Sequence, residues 1–323
     1  MAHVFLTGGT GFLGAHIARQ LVAGGHTVRL MRRKSSRLLA IGDLPVEFVL
    51  GDLFDTEHLT KLLEGIDWVF HVAAVADYWR TGKELIYRVN VDGTRHLLEA
   101  AQRAGIKRFI FTSTVAAVGW RGDGHNADEN TYFNISPRIS PYGHSKFLAE
   151  ADVQRAVEAG LDAVILNPAV ILGPGDLNQI SGSLIIETAR GGVPALAQQG
   201  GTNFIDVRDV AAAHIAAAER GRSGERYILG GVNMTHKAFT RLVCDVLGAP
   251  VPRLPLPGNV VPAVAALADV GRALGAQLPA DGNQLRLSRR EIYFDTSKML
   301  NELHTPQINI RQSVQDTYDW YRA

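Results

Sequence analysis

Thr7-Gly8-Gly9-Thr10-Gly11-Phe12-Leu13-Gly14 is the stretch that decides how this chain folds. Glycines 8, 11 and 14 fit G-x-x-G-x-x-G, and glycines 9, 11 and 14 fit G-x-G-x-x-G. The run before it, His3–Thr7, is short and apolar, as a strand is. The run after it, 15–23, sets Ile17, Ala18, Leu21 and Val22 at helical spacing. A strand that turns through glycines into a helix suits an anion. Glycine has no Cβ, so the backbone can turn tightly and approach a pyrophosphate closely. The first helical turn adds unpaired N–H groups and the positive end of the helix dipole. Gly8, Thr10, Gly11, Phe12, Leu13 and Gly14 are therefore the expected contacts of a dinucleotide.

Strand-like and helix-like runs continue to alternate downstream. Short apolar runs fall at 27–31, 46–50, 68–72, 108–112 and 163–166. Helical spacing falls at 56–64, 91–104 and 145–159, with Asp92 as the expected cap of the second. This pattern predicts an α/β fold, a doubly wound parallel sheet of Rossmann type. Beyond Pro168 the rhythm breaks. Runs at 204–207 and 226–229 read as strands that rejoin the sheet. The expected division is a cofactor-binding domain over 1–170, its sheet completed by about 204–230, and a smaller C-terminal substrate-binding lobe from 171–203 and 231–323.

Composition narrows the function. The 323 residues are 46% apolar and 20% charged, which excludes disorder. Thirty-three Lys+Arg against 32 Asp+Glu leave a net charge of +1, so no field draws in nucleic acid or an anionic membrane. Cys244 is the only cysteine, which excludes an internal disulfide and a cysteine zinc cluster. That usage, with no secretory pattern in MAHVFLTGG, gives a cytoplasmic expectation. The apolar stretch 259–276 carries Pro262, Asp269 and Arg272, so it reads as a buried or pocket-covering helix, not a span. His3, His26, His71, His96, His125, His144 and His214 show no ligand spacing, and no metal is expected.

The second strand bears on which cofactor binds. An NAD site carries an acid about 20 residues past the glycines for the ribose 2′-OH. Here the chain reads Arg32-Arg33-Lys34-Ser35-Ser36. Guanidinium groups suit a 2′-phosphate, which points to NADP(H); an ordinary solvated basic turn is the alternative. Asp52 and Leu53, after the third strand, and Ala73 and Ala74, after the fourth, are candidate walls for the adenosine half. A capping Asp and a packed Ala pair are the bland alternatives.

Tyr142 and Lys146 stand four apart, one face of one helix, roughly 6 Å along its axis. A phenol with an ordinary pKa of about 10 needs a neighbouring cation to trade protons near neutrality. Thr112-Ser113-Thr114 ends the fifth strand, where a hydroxyl can hold a substrate oxygen or simply satisfy the strand end. Asn90 either holds a backbone group or a relay water, or is a buried structural amide.

TGGTGFLG, GDL, HVAA, NVDGT, TST, YGHSK, NPAVILGPGD and FIDVRDVA stand in the order of the extended short-chain dehydrogenase/reductase family, which the chain resembles over nearly its whole length. It is similar to the dihydroflavonol-4-reductase and 3β-hydroxysteroid dehydrogenase-like branch, and to bacterial sugar-epimerase-like relatives. The resemblance implies Tyr142 as acid/base, Lys146 as its tuner and ribose anchor, and Thr114, ahead of Ser113, as the Ser/Thr member; Asn90 stands beside them as a fourth candidate from its own position. It places Thr112, Pro168 and Val170 along the cofactor, and Asp77 and Tyr78 at the substrate mouth or in lid packing. Two departures count against nucleotide sugars. Val115-Ala116 replace the Asp-Glu of family dehydratases, and Thr202-Asn203-Phe204 replace the Arg-Asp-Phe of epimerases. Val260, Val261, Val264, Leu267 and Leu274 suggest an apolar pocket, or else lobe core. The expectation is an NADP(H)-dependent oxidoreductase acting on a small-molecule carbonyl or secondary alcohol, with a sugar epimerase as the alternative. The oligomeric state stays open; the resemblance implies helices 92–104 and 145–159 as the face of a homodimer where one forms.

Overall fold

The computed structural model describes residues 1–76, 81–177, 179, 182–193, 195–274 and 282–323. The first half runs β1 (His3–Thr7), α1 (Phe12–Ala23), β2 (Thr27–Arg32), β3 (Glu47–Leu50), α2 (Thr56–Leu62), β4 (Trp68–His71), α3 (Lys83–Tyr87), α4 (Gly93–Ala104), β5 (Arg108–Thr112), α5 (Pro141–Glu158) and β6 (Ala163–Pro168). Then come β7 (Val170–Leu172), α6 (Ser183–Ala189), β8 (Ala195–Ala197), β9 (Gly201–Asp206), α7 (Val207–Arg220), β10 (Arg226–Leu229), β11 (Val232–Thr235) and α8 (His236–Leu247). The chain ends with β12 (Leu254–Leu256), α9 (Val261–Ala273), α10 (Gly282–Leu287), α11 (Ser297–Glu302) and α12 (Ile310–Arg322).

The main sheet has seven strands in the order β10-β6-β5-β4-β1-β2-β3. Every neighbouring pair in it is parallel. All six residues of β6 are buried, as a strand covered on both faces must be. One core packs α1 and α7 on the sheet through Ile17, Leu21, Val210 and Ala213. The other packs α2, α4 and α5 through Leu59, Leu97, Leu98 and Val153. Strand order reverses between β1 and β4, so the crevice opens beyond their C-terminal ends. The glycine turn leaves one of these strands and the Val72–Ala74 turn leaves the other.

Three expectations change. Of the two late strands, β10 joins the main sheet, but β9 lies with β11 and β7 in a separate three-stranded sheet. It pairs antiparallel with β11 and parallel with β7. Asp92 is not a cap. A π-helical turn, Arg88–Asp92, fuses α3 to α4, and Asp92 has helical φ −67 and ψ −40. That turn rotates Asn90 inward to 1% exposure. The apolar stretch at α9 is mostly uncovered: Val261 and Ala265 are buried, but Leu267 is 71% and Leu274 84% exposed. Its inner face packs on α10, and that leaves the other apolar face outside. No helix among the described residues is long and apolar enough to cross a membrane.

Candidate active site

The glycine turn is closed to side chains. Gly8 has φ +74, and a Cβ there would stand 2.5 Å from the Ala73 backbone nitrogen. A Cβ on Gly14 would collide with the Gly8 carbonyl. Gly11 N–H donates to the Gly8 carbonyl at 3.0 Å, tightening the turn. Gly11 caps α1 without a side chain, so the N–H groups of Phe12, Leu13 and Gly14 face the crevice end of the helix. The residues present therefore fit a dinucleotide phosphate, with Thr10 on the rim. His16 donates from Nε2 to the Pro174 carbonyl at 2.8 Å, pinning the Gly173–Gly175 loop beside the cradle. Sequence reasoning missed that contact.

Around the adenosine end, Arg32 is half-buried, its Nε has no partner, and its Nη1 reaches the Arg33 carbonyl at 3.5 Å. Arg33 is exposed, and its N–H donates to Ser36 Oγ at 3.1 Å. Asp52 accepts from Phe54 N–H at 3.1 Å, the capping turn foreseen as its alternative, and Leu53 is buried beside it. Asp77, Tyr78 and Trp79 lie outside the described residues.

A directed chain of hydrogen bonds joins the two sides of the crevice. Ala73 N–H donates to Thr7 Oγ1 at 3.3 Å, and Thr7 Oγ1 lies 2.8 Å from His71 Nδ1. His71 Nε2 lies 3.0 Å from Thr94 Oγ1, which donates to the Asn90 carbonyl at 2.7 Å. Since that carbonyl can only accept, the proton of His71 sits on Nε2 and Thr7 donates to Nδ1. Burial, then the charge of Lys146, lowers the His71 pKa to about 3, so the ring is neutral. Ala74 follows on the exposed side of the turn.

α5 brings the reacting groups in. Ser140 caps it, accepting from Gly143 N–H at 3.2 Å, and Pro141 takes the first turn, where its missing N–H costs nothing. Tyr142 therefore stands in the first turn and Lys146 one turn later. A Cβ on Gly143 would collide with the Ala116 carbonyl, so this end of α5 lies directly against the short turn that follows Thr114. Thr114 Oγ1 accepts from Ala116 N–H at 3.3 Å and keeps its own proton to give. Lys146 is 1% exposed, its Nζ 4.1 Å from the Phe111 ring centroid. Burial pushes its pKa down to about 7, against the pull of Glu150. Thr112 is turned away, bonded to His214 Nε2 at 2.9 Å.

Asn90 is fully committed. Its Oδ1 accepts from Val75 N–H at 2.8 Å, and its Nδ2 donates to the Val75 carbonyl at 3.1 Å and to Ser145 Oγ at 3.0 Å. It holds backbone. Pro168 closes β6 and Val170 opens β7, both at the crevice end of the sheet. Glu150, which sequence reasoning did not single out, lies buried beneath Lys146 and accepts from Ser113 and Asn167.

The profile of the NAD dependent epimerase/dehydratase family matches residues 4–230, from β1 to β10. The chain belongs to the NAD dependent epimerase/dehydratase family. This is the extended short-chain dehydrogenase/reductase group, whose members depend on a nicotinamide cofactor. A putative dihydroflavonol 4-reductase of Synechocystis sp. is 39% identical over 328 residues, 98% of this chain and 94% of that protein. Sterol demethylase protein B of Methylococcus capsulatus is 33% identical over 324 residues, 98% of this chain and 97% of its own. The crystal structure of gox2253 superposes with a TM-score of 0.87 at 36% identity, covering 100% of this chain and 98% of that one.

Proposed function

We propose that the protein is an NADP(H)-dependent reductase of a ketone or aldehyde on an apolar small molecule, working also as the reverse alcohol dehydrogenase. The observation that carries this reading is the packing of the Tyr142/Lys146 helix end against the Thr114 turn, with Val115-Ala116 where an eliminating enzyme would need acids. Thr114 Oγ1 and the Tyr142 phenol hold the substrate oxygen. Tyr142 donates its proton as charge develops there, and the buried Lys146 ammonium stabilises the phenolate left behind. NADPH, when bound, supplies the hydride. Gly8, Gly11 and Gly14 would hold its pyrophosphate, and Arg32 and Arg33, neither ion-paired among the described residues, its 2′-phosphate. The similarity to a putative dihydroflavonol 4-reductase supports the substrate class.

Two measurements test this. Purified protein should consume NADPH stoichiometrically with members of a ketone and aldehyde panel. Isomerisation of a sugar with no net cofactor loss, and no turnover of the panel, would replace the reading with an epimerase. Arg32→Asp with Arg33→Ser should lower kcat/KM for NADPH at least 10-fold more than for NADH, since a charged phosphate hydrogen bond contributes about 1.5–3 kcal/mol. A wild-type enzyme that works equally well with NADH rules out the assigned role of these arginines.

A further inference from the structure

We propose that Glu150 is the positioning residue of this site, a buried carboxylate that keeps Lys146 in its ammonium form and ties Thr114 to the Tyr142 helix. The proposal rests on the acid–base reading of Tyr142 and Lys146 given above. Glu150 is 4% exposed and stands one turn beyond Lys146 on the same face of α5. Its Oε1 accepts from Ser113 Oγ and from Asn167 Nδ2, the latter at 2.6 Å. The same Asn167 amide donates to the Thr114 carbonyl at 2.9 Å. Its Oε2 faces Arg226 Nη1 at 3.5 Å. One carboxylate thus joins β6, β10 and the segment after β5 to α5, which carries Tyr142 and Lys146, and reaches Thr114 through Asn167.

The charges around it are few. From β4 comes His71, neutral because burial disfavours its cation and its Nδ1 accepts from Thr7. From β5 comes the Phe111 ring, from just after that strand Ser113, from β6 Asn167, and from β10 Arg226. From α7 comes His214, which donates from Nδ1 to the Val210 carbonyl and stays neutral. The charged and polar groups of α3 and α4 that reach α5 pair elsewhere, Tyr87 with His144 and Arg95 with Asp152. On the far side of Arg226, Lys298 takes Glu225 and Glu129 accepts from Ile228 N–H. Among the described residues, Glu150 is therefore the buried acid that faces Lys146; burial pushes its carboxyl up, and Arg226, Ser113, Asn167 and Lys146 itself pull it back towards the anion. Without it, the desolvated Lys146 would shed its proton at a lower pH.

The test is Glu150→Gln, which keeps the shape and removes the charge. Its kcat should fall at least 10-fold at pH 8 and recover at pH 6, with the alkaline limb of the kcat–pH profile moved about one unit or more towards acid. Glu150→Asp should restore the limb. A direct readout needs no turnover: the Lys146 side-chain resonance of the free, isotope-labelled protein should titrate at lower pH in Glu150→Gln than in the wild type. A uniformly lowered profile with an unmoved limb, or an unmoved Lys146 titration, would show a purely structural brace and overturn the proposal. If Glu150→Gln does not fold, the wild type still decides, because its Glu150 carboxyl carbon must show the ionised shift at pH 7 and a protonated one overturns the idea. Absence of NADPH turnover in the wild type would sink the reductase reading alone, leaving the two resonance measurements to judge Glu150.

Discussion

Tyr142, at the start of α5, and Asn90, in the π turn before α4, are both polar, yet the structure gives them different work. Gly143, next to Tyr142, brings that end of α5 against the turn after Thr114, whereas every polar side-chain atom of Asn90 is spent on Val75 and Ser145. Removing the phenol oxygen while keeping the ring therefore isolates the proton. Tyr142→Phe is expected to lower kcat at least 10²-fold, the usual scale of general acid catalysis, with cofactor affinity and melting temperature nearly unchanged. Single-turnover reduction followed alongside a cofactor titration checks it. Near-normal turnover in Tyr142→Phe would mean that the proton comes from another group. The same spacing rule that links Tyr142 to Lys146 reaches Glu150 four residues on. It was readable in principle, but nothing local says that the third member of the series is buried among Ser113, Asn167 and Arg226.

Among the elements, those with local causes were legible and those with distant causes were not. β1, α1 and β5 follow from apolar period and glycine placement, and they stand where those signals put them. β9 failed because a short apolar run does not say which sheet it joins; β7 and β11, far apart in sequence, decide that. The π turn before α4 failed for a related reason. Its one extra residue breaks the helical period on which the reading depends, and the fold accepts the break because it turns Asn90 into the protein. That makes the turn a clamp between β4 and α5. Asn90→Ala leaves the Val75 N–H and carbonyl without their partners, at about 1–3 kcal/mol of stability. The expected result is a melting temperature lower by several degrees and raised KM values, with kcat within about 10-fold of wild type. Thermal unfolding and steady-state kinetics on one preparation decide the matter. A loss of kcat as deep as that of Tyr142→Phe, at unchanged stability, would give Asn90 a chemical role.

At the scale of the whole molecule, the fold holds neutral histidines on both faces of the sheet. His71 sits beneath the crevice and His214 in α7 on the opposite face, both fully buried. Burial lowers them to about 3 and about 4 respectively. His16, His144 and His236 are lowered by burial as well. In the unfolded chain the same rings titrate near 6.5. Between those limits the unfolded state binds protons that the folded state refuses. The stabilisation is then complete above about pH 6.5 and is lost as the pH falls towards the folded values. Each fully neutral buried ring contributes a slope of about 1.4 kcal/mol per pH unit, so His71 and His214 together should remove roughly 3–4 kcal/mol between pH 6.5 and 5. Urea unfolding at pH 7.5, 6 and 5 measures this as a falling midpoint at a nearly constant m-value. His214→Gln should lower stability at pH 7.5 yet flatten the dependence, because a glutamine has no proton to take up. A midpoint that stays level from pH 7.5 to 5 would mean that the rings take up protons as readily in the fold as in the unfolded chain. His71 would then protonate in place, its Nδ1 turning from acceptor to donor towards Thr7 Oγ1 while the Thr94–Asn90 end of the chain keeps its direction.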